Sequence, residues 1–298
     1  GDWSSDVCSS DLKNAKHLKQ TVSQSILILV KGTSNMLFTN IIEVIQDTIE
    51  GSDYSLRVHY LDEDADEVKE AVRVCREHKP MGILFLGGNI QYFHEEFELV
   101  NVPCVLVTDR ADKLGFRNLA SVSTDDMAAA EMAVDYLFDH GHRDIAVIGG
   151  DMALSSPSKY RKAGAKRSFI KHGCEFEEES YAVARFSYES AYNAMNRMLA
   201  SQRSITAVFA MSDVMAVGAM RAIFDAGLRV PEDISVIGFD GTLLADYYNP
   251  KIVTVCQGYE KIARKSIDLL FGMIDLNKPA THELVPFSLK NTESVSSI

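Results

Sequence analysis

The sequence has no apolar run long enough to cross a bilayer; ILILV and MGILFLGG have the length of buried strands. It opens on no basic-then-apolar leader with a small-residue cleavage site, so export is not expected. Its five cysteines, Cys8, Cys75, Cys104, Cys174 and Cys256, are odd in number, scattered and without a CxxC pair. That reads as reduced, mostly buried thiols in a cytoplasmic protein rather than a disulfide framework. Positive charge is also scarce: 30 Lys and Arg stand against 42 Asp and Glu, a formal net charge of −12. A surface that binds DNA by itself is normally basic, because phosphate contacts supply most of the affinity. This body should repel nucleic acid unless a separate module does the binding.

Signatures of catalysis are missing as well. LGGN at residues 86–89 and IGG at 148–150 lack the G-x-G-x-x-G spacing of a dinucleotide site and the Lys-Ser/Thr of a phosphate loop. They read as tight strand exits. No G-x-S-x-G elbow and no ordered Ser/His/Asp set occurs. His140 and His142 diverge across the helix stop Gly141, and no Cys or carboxylate cluster completes a metal shell. No enzyme, cofactor or metal is therefore expected. The first dozen residues, GDWSSDVCSSDL, are Ser/Asp-rich and aperiodic, and read as a non-native or disordered leader.

From Ser25 onward short apolar strands alternate with amphipathic helices, the pattern of parallel βαβ units. Strands are predicted at residues 26–30, 55–60, 82–86 and 104–108, with helices between them at about 37–50, 66–78 and 92–98. A second series begins near Ser123. Its helices fall at about 127–140, 161–172, 188–200 and 212–226, and its strands at 145–149, 181–185, 207–210 and 234–239. VTVC forms a further strand, and a last helix at 259–276 and a strand near 284–286 close the chain. The acidic run at 62–67 reads as a solvated loop and a helix N-terminus, favourable to the helix dipole.

Two series with a short final return predict two parallel-sheet α/β lobes. The chain is expected to cross between them near Val122, Val255 and Phe287, with a ligand cleft between the lobes. The expected division is a leader at 1–12, a hinge segment at 13–24, one lobe from 25–122 plus 256–286, and a second from 123–255 plus 287–298.

The most telling stretch is RAIFDAGLRVPEDISVIGFD, residues 221–240. Its helix stops at Gly227, a polar turn follows, and the apolar strand ISVIGF ends on Asp240. The carboxyl end of a parallel strand faces the crevice where ligands bind. This block closely resembles a signature of the lactose-repressor (LacI/GalR) family of sugar-responsive regulators. Four further stretches are similar to the family in the right order: NAKHLK at 14–19, TSNMLFTNIIEVI, the second-lobe opening VSTDDMAAAEMAVDYLFDHGHRDIAVIGG, and the return segment NPKIVTVCQGYEKIARKSIDLL. The resemblance covers residue 14 to the end and implies a periplasmic-binding-protein-like fold. NAKHLK matches the hinge helix, where the leucine matching Leu18 wedges into the minor groove, kinking the duplex. The helix-turn-helix that reads bases does not precede it, so operator DNA is expected as a partner only through that missing module.

Asp109 and Asp240 each end a strand at the crevice, and Arg161 stands at the spacing of the family's R-x-x-G segment, whose arginine points at the effector. Carboxylates facing a planar guanidinium suit a polyol, so the resemblance implies a carbohydrate. The competing reading for both aspartates is that they cap the next segment. An unliganded crevice arginine is expected to be solvated and of little importance to stability. Phe38 and Phe186 match pocket-lining aromatics on which sugar faces pack; Tyr160, Tyr92 and Phe93 are looser candidates. Ser212 falls where relatives carry asparagine. Gln257 matches a crossover polar residue, either near the ligand or serving only as a hinge hydrogen bond.

Taken together, these features predict the effector-binding, dimerising core of a LacI-type regulator acting by linkage between ligand and DNA. The alternative is the sugar-binding protein of a transport system. A homodimer is expected because Val214, Val217, Met220 and Ile223, with Ile41, Ile42 and Ile45, exceed what one sheet-facing side needs.

Overall fold

The computed structural model describes residues 24–32, 35–201 and 204–298. Leu18, the leader and nearly all of the hinge segment lie outside them. Two six-stranded sheets organise the chain. The first is ordered β2 (Ser55–Leu61), β1 (Ser25–Lys31), β3 (Gly82–Leu86), β4 (Cys104–Val107), β5 (Leu119–Ser123) and β11 (His282–Leu284), every pair parallel. The second is ordered β7 (Tyr181–Val183), β6 (Ile145–Gly149), β8 (Ala207–Ala210), β9 (Ser235–Asp240), β10 (Val253–Cys256) and β12 (Ser288–Lys290). Only β12 in that sheet runs antiparallel to its neighbour.

Pattern explains position. β1, SILILVK, is buried along its whole length as an inner strand must be, whereas β2, SLRVHYL, is largely exposed at the edge. Helices α1 (Met36–Ile49) and α9 (Tyr259–Leu276) cover one face of the first sheet, and α2 (Glu67–His78) and α3 (Ile90–Glu96) cover the other. Around the second sheet, α4 (Asp126–Asp139) pairs with α5 (Ser156–Lys171), and α6 (Tyr188–Ala200) pairs with α7 (Asp213–Asp225). Both pairs cross at a glycine. A Cβ on Gly164 would collide with the Met127 carbonyl oxygen, and one on Gly218 with that of Tyr188. A short helix, α8 (Leu243–Tyr247), follows β9.

The chain leaves the first sheet after β5, returns to it after β10, and moves back to the second sheet between β11 and β12. These crossings are stitched together. Thr124 donates to Gln257 Oε1 at 2.9 Å, and the Val285 amide donates to the Ser123 carbonyl at 2.8 Å. Among the described residues no helix is long and apolar enough to cross a membrane.

Several elements depart from the sequence expectation. β5, α8 and β12 were not expected: each is three to five residues long, and none carries a periodicity that stands out alone. α5 begins at Ser156 rather than Arg161, because Ser155 caps it and Pro157 is tolerated in a first turn. Val214, Met220, Ile223, Ile41, Ile42 and Ile45 are all buried within their own lobes. Their surplus over one face is absorbed by a second packed neighbour, α6 for α7 and α9 for α1. Of that set only Val217 keeps partial exposure.

Candidate functional site

A cavity of about 600 Å³ opens between the two sheets. The first lobe contributes Lys31, Phe38, Tyr60 and Thr108, from the ends of β1, β2 and β4 and the start of α1. The second contributes Ser155, Arg161, Phe186, Glu189 and Arg185, from the N-terminal parts of α5 and α6. The carboxyl ends of β1, β2, β3 and β4 and the starts of α5 and α6 border this space, as expected at the carboxyl edge of parallel sheets. Asn89 Nδ2 donates across the cleft to the Ala153 carbonyl at 3.1 Å.

Aromatic rings stand on both walls, each with a glycine beneath it. A Cβ on Gly87 would meet the Phe38 ring at 3.1 Å, and one on Gly150 would meet Phe186 at 2.8 Å. Gly87 also sits at φ +73°, which glycine adopts without strain.

Arg161 is only 4% exposed, so the expectation of a solvated arginine is overturned. Its Nε donates to Asp126 Oδ1 at 2.7 Å, its Nη1 donates to the Met211 carbonyl at 2.6 Å, and its Cζ lies 3.8 Å from the Phe239 ring centroid. Asp126 opens α4 and meets the guanidinium because the α4–α5 pair is so close. Burial pushes the Asp126 carboxyl up and Arg161 pulls it back.

Asp109 and Asp240 are buried, one in each lobe, and neither lines the cavity. Asp109 follows cavity-lining Thr108, which is held at φ +69°. Its Oδ1 accepts from the Arg110 amide at 2.7 Å, the Ser156 hydroxyl also bears on the carboxyl, and no hydrogen bond of ordinary geometry reaches its Oδ2. Burial pushes its pKa up to about 8. Asp240 Oδ1 accepts from Gln257 Nε2 at 2.7 Å and lies 3.9 Å from Arg161 Nη1, while its Oδ2 is likewise unpartnered. Burial drives its carboxyl well above the ordinary range, with Arg161 opposing and Asp213 reinforcing. Buried carboxyl oxygens without a partner are uncommon in folded proteins, and one stands in each lobe. Asp240 also sits at φ +110°, a strained backbone for a non-glycine residue.

That strain is held by Asp213, a residue not singled out in the sequence. It accepts from the Thr242 amide at 2.7 Å, the Thr242 hydroxyl at 2.8 Å and the Thr254 hydroxyl at 2.6 Å. These bonds pin the loop directly after Asp240. Ser212 is buried and caps α7, its hydroxyl accepting from the Met215 amide at 3.1 Å. Gln257 is fully buried and bridges Thr124 to Asp240. Of the residues chosen from sequence, Phe38, Arg161 and Phe186 border the cavity; Asp109, Asp240, Ser212 and Gln257 do not.

The acidic run is not a solvated loop throughout. Asp66 caps α2, but Glu67 is buried and pairs with Lys31 at 2.7 Å. Asp62, Glu63 and Asp64 reach across the cleft to Arg185, at 2.6, 3.2 and 3.0 Å. Lys31, Tyr60 and Arg185 therefore belong to the site and were missed. Arg185 stands beside Phe186 in the chain, a hint that adjacency alone could have supplied.

Two α/β lobes enclosing a polar-floored, aromatic-walled cleft define a two-lobed ligand-binding module. The periplasmic binding protein-like domain family matches residues 134–295. Over 290 residues the chain is 33% identical to the HTH-type transcriptional regulator MalR of Clostridium butyricum, spanning 96% of this chain and 86% of that protein. The fold is shared with a LacI family transcriptional regulator from Enterococcus faecium solved with bound ribose. That likeness has a TM-score of 0.79 at 21% identity, over 92% of this chain and 99% of that one. It is shared too with the transcriptional regulator CelR in complex with cellobiose, with a TM-score of 0.78 at 22% identity over 99% and 92% of the two chains. The chain belongs to the LacI/GalR family of transcriptional regulators, and its two lobes are the effector-binding core.

Proposed function

We propose that this core binds a carbohydrate effector between its lobes, and that binding changes the lobe arrangement on which operator recognition depends. The observation that carries the reading is the interlobe cleft walled by Phe38 and Phe186 and edged by buried Arg161, together with two buried carboxyls that each keep an unpartnered oxygen, Asp240 at 3.9 Å from Arg161 and Asp109 in the other lobe. Sugar hydroxyls both donate and accept, and so suit orphan carboxyl oxygens, while sugar C–H faces suit the rings. The ribose and cellobiose complexes of structures with this fold support the class of ligand. Effector and DNA are then linked thermodynamically: a sugar that prefers one lobe arrangement shifts that equilibrium and the DNA affinity together.

In this role the protein is a cytoplasmic regulator that binds its effector without turning it over. It meets operator DNA through a helix-turn-helix module of the kind named in its relatives. It works as a homodimer, with exposed Leu243 and Tyr247 on α8, 56% and 86% accessible, and the partly exposed Val217 on α7 as the apolar residues offered to a second copy. Thermal-shift and calorimetric profiling against mono- and disaccharides tests the central reading. The expected outcome is saturable binding of at least one carbohydrate that Asp240→Asn weakens; a blank panel with folded protein rejects it.

A further inference from the structure

Resting on that carbohydrate reading, we infer that the effector is an uncharged sugar of two rings, and that the cleft discriminates against phosphorylated and carboxylated sugars. The reason is that no cationic side chain lining the described cleft is uncommitted. Three cations line it: Lys31, Arg161 and Arg185. Lys31 is held by Glu67, Arg161 by Asp126 and the Met211 carbonyl, and Arg185 by Asp62, Glu63 and Asp64. An anionic ligand entering between closing lobes loses its water and needs a compensating charge. Here each cation is already balanced by at least one carboxylate, so the anion meets no net positive charge. It would also approach Asp62, Glu63 and Glu189, which border the same space.

Helix N-termini are the other common source of anion affinity, and three open on the cleft, at Asn35, Ser155 and Ser187. Each is already capped by its own side chain, which accepts from an amide of its first turn, Leu37, Ser158 or Ser190. Pro157, in the first turn of α5, has no amide hydrogen to offer. What remains are single neutral donors and acceptors, matched to hydroxyls.

Size follows from volume. The 600 Å³ cavity falls mid-way in the roughly 300–1,000 Å³ range of pockets that enclose drug-sized ligands. One sugar ring leaves much of it wet. Two rings use more of it, with one aromatic platform available on each wall, Phe38 and Phe186.

The test is calorimetry on the whole chain with matched ligands. The neutral set is cellobiose, maltose, lactose, trehalose, glucose and ribose. The anionic set is cellobionate, maltobionate, lactobionate, trehalose 6-phosphate, glucuronate and glucose 6-phosphate. The tightest ligand is expected to be a neutral disaccharide, with its acidic counterpart at least about tenfold weaker. An anionic sugar binding tightest overturns the inference and leaves the carbohydrate reading intact, as does a monosaccharide binding tightest. No binding by any member rejects both. In a second arm, the double substitution Asp62→Asn with Asp64→Asn, at exposed positions, frees Arg185 in part. It should narrow the neutral-to-anionic affinity ratio at least about threefold, because Arg185 then keeps more uncompensated positive charge. An unchanged ratio in the folded variant removes the charge-pairing argument.

Discussion

Replacing Asp109 with asparagine keeps Oδ1 as an acceptor for the Arg110 amide and removes only the ability to ionise. Burial raises this carboxyl from 3.8 to about 8, so the folded chain holds a proton that the unfolded chain releases. The sign follows. Below pH 3.8 both states are protonated and nothing is lost; between about 4 and 8 the folded state binds more protons, so stability falls as pH rises. Each unit of pH in that window is worth at most 1.36 kcal/mol, which gives a ceiling of about 4 kcal/mol at pH 7. Relaxation and water penetration reduce it, and about 1–2 kcal/mol is the working expectation. For lobes of this size that corresponds to a Tm gain of roughly 3–6 °C for Asp109→Asn at pH 7–8, shrinking toward zero near pH 4. Differential scanning calorimetry of both proteins at pH 4, 5, 6, 7 and 8 reads the difference directly, and subtraction cancels groups common to the two. A Tm difference that is constant across pH would refute the reasoning and leave Asp109 as a local cap. The same substitution should weaken carbohydrate binding. A stabilised variant with unaltered affinity would remove Asp109 from the site.

Three further outcomes follow from the packing. Arg161→Ala leaves Asp126 and the Met211 carbonyl unpartnered in the interior, so it should lose about 3–5 kcal/mol in urea unfolding as well as ligand affinity; a loss of affinity with unchanged stability would contradict the buried pairing. Gly164→Ala forces α4 and α5 apart at Met127 and should destabilise by about 1–3 kcal/mol, with a neutral midpoint in denaturant melts as the contrary result. The double substitution Leu243→Arg with Tyr247→Glu changes only exposed side chains of α8; light scattering should report a shift from two chains to one, and a persisting dimer would place the interface elsewhere.

The architecture was largely legible in the sequence because buried parallel strands are short continuous apolar runs and their helices carry the longer period. α6 and α9 occupy the residues the pattern indicated, 188–200 and 259–276. The ordered motifs also pointed to Phe38, Arg161 and Phe186, which border the cleft. Chain position at a strand's carboxyl end sufficed to find Asp109 and Asp240 as candidates, because that end faces the crevice in every parallel α/β sheet.

Tertiary structure decided the rest. β5, α8 and β12 are too short to announce themselves, and exist because a neighbouring strand or helix offers hydrogen bonds or an apolar surface. The apolar residues of α1 and α7 looked like surplus for a partner chain until α9 and α6 covered them. Charge was the least legible of all. Lys31 with Glu67, Arg161 with Asp126, and Arg185 with Asp62 are separated by 36, 35 and 123 residues, so no local pattern pairs them. Whether a side chain is solvated, ion-paired or left with an empty valence depends on what the fold brings within about 3 Å, and only the folded chain sets that distance.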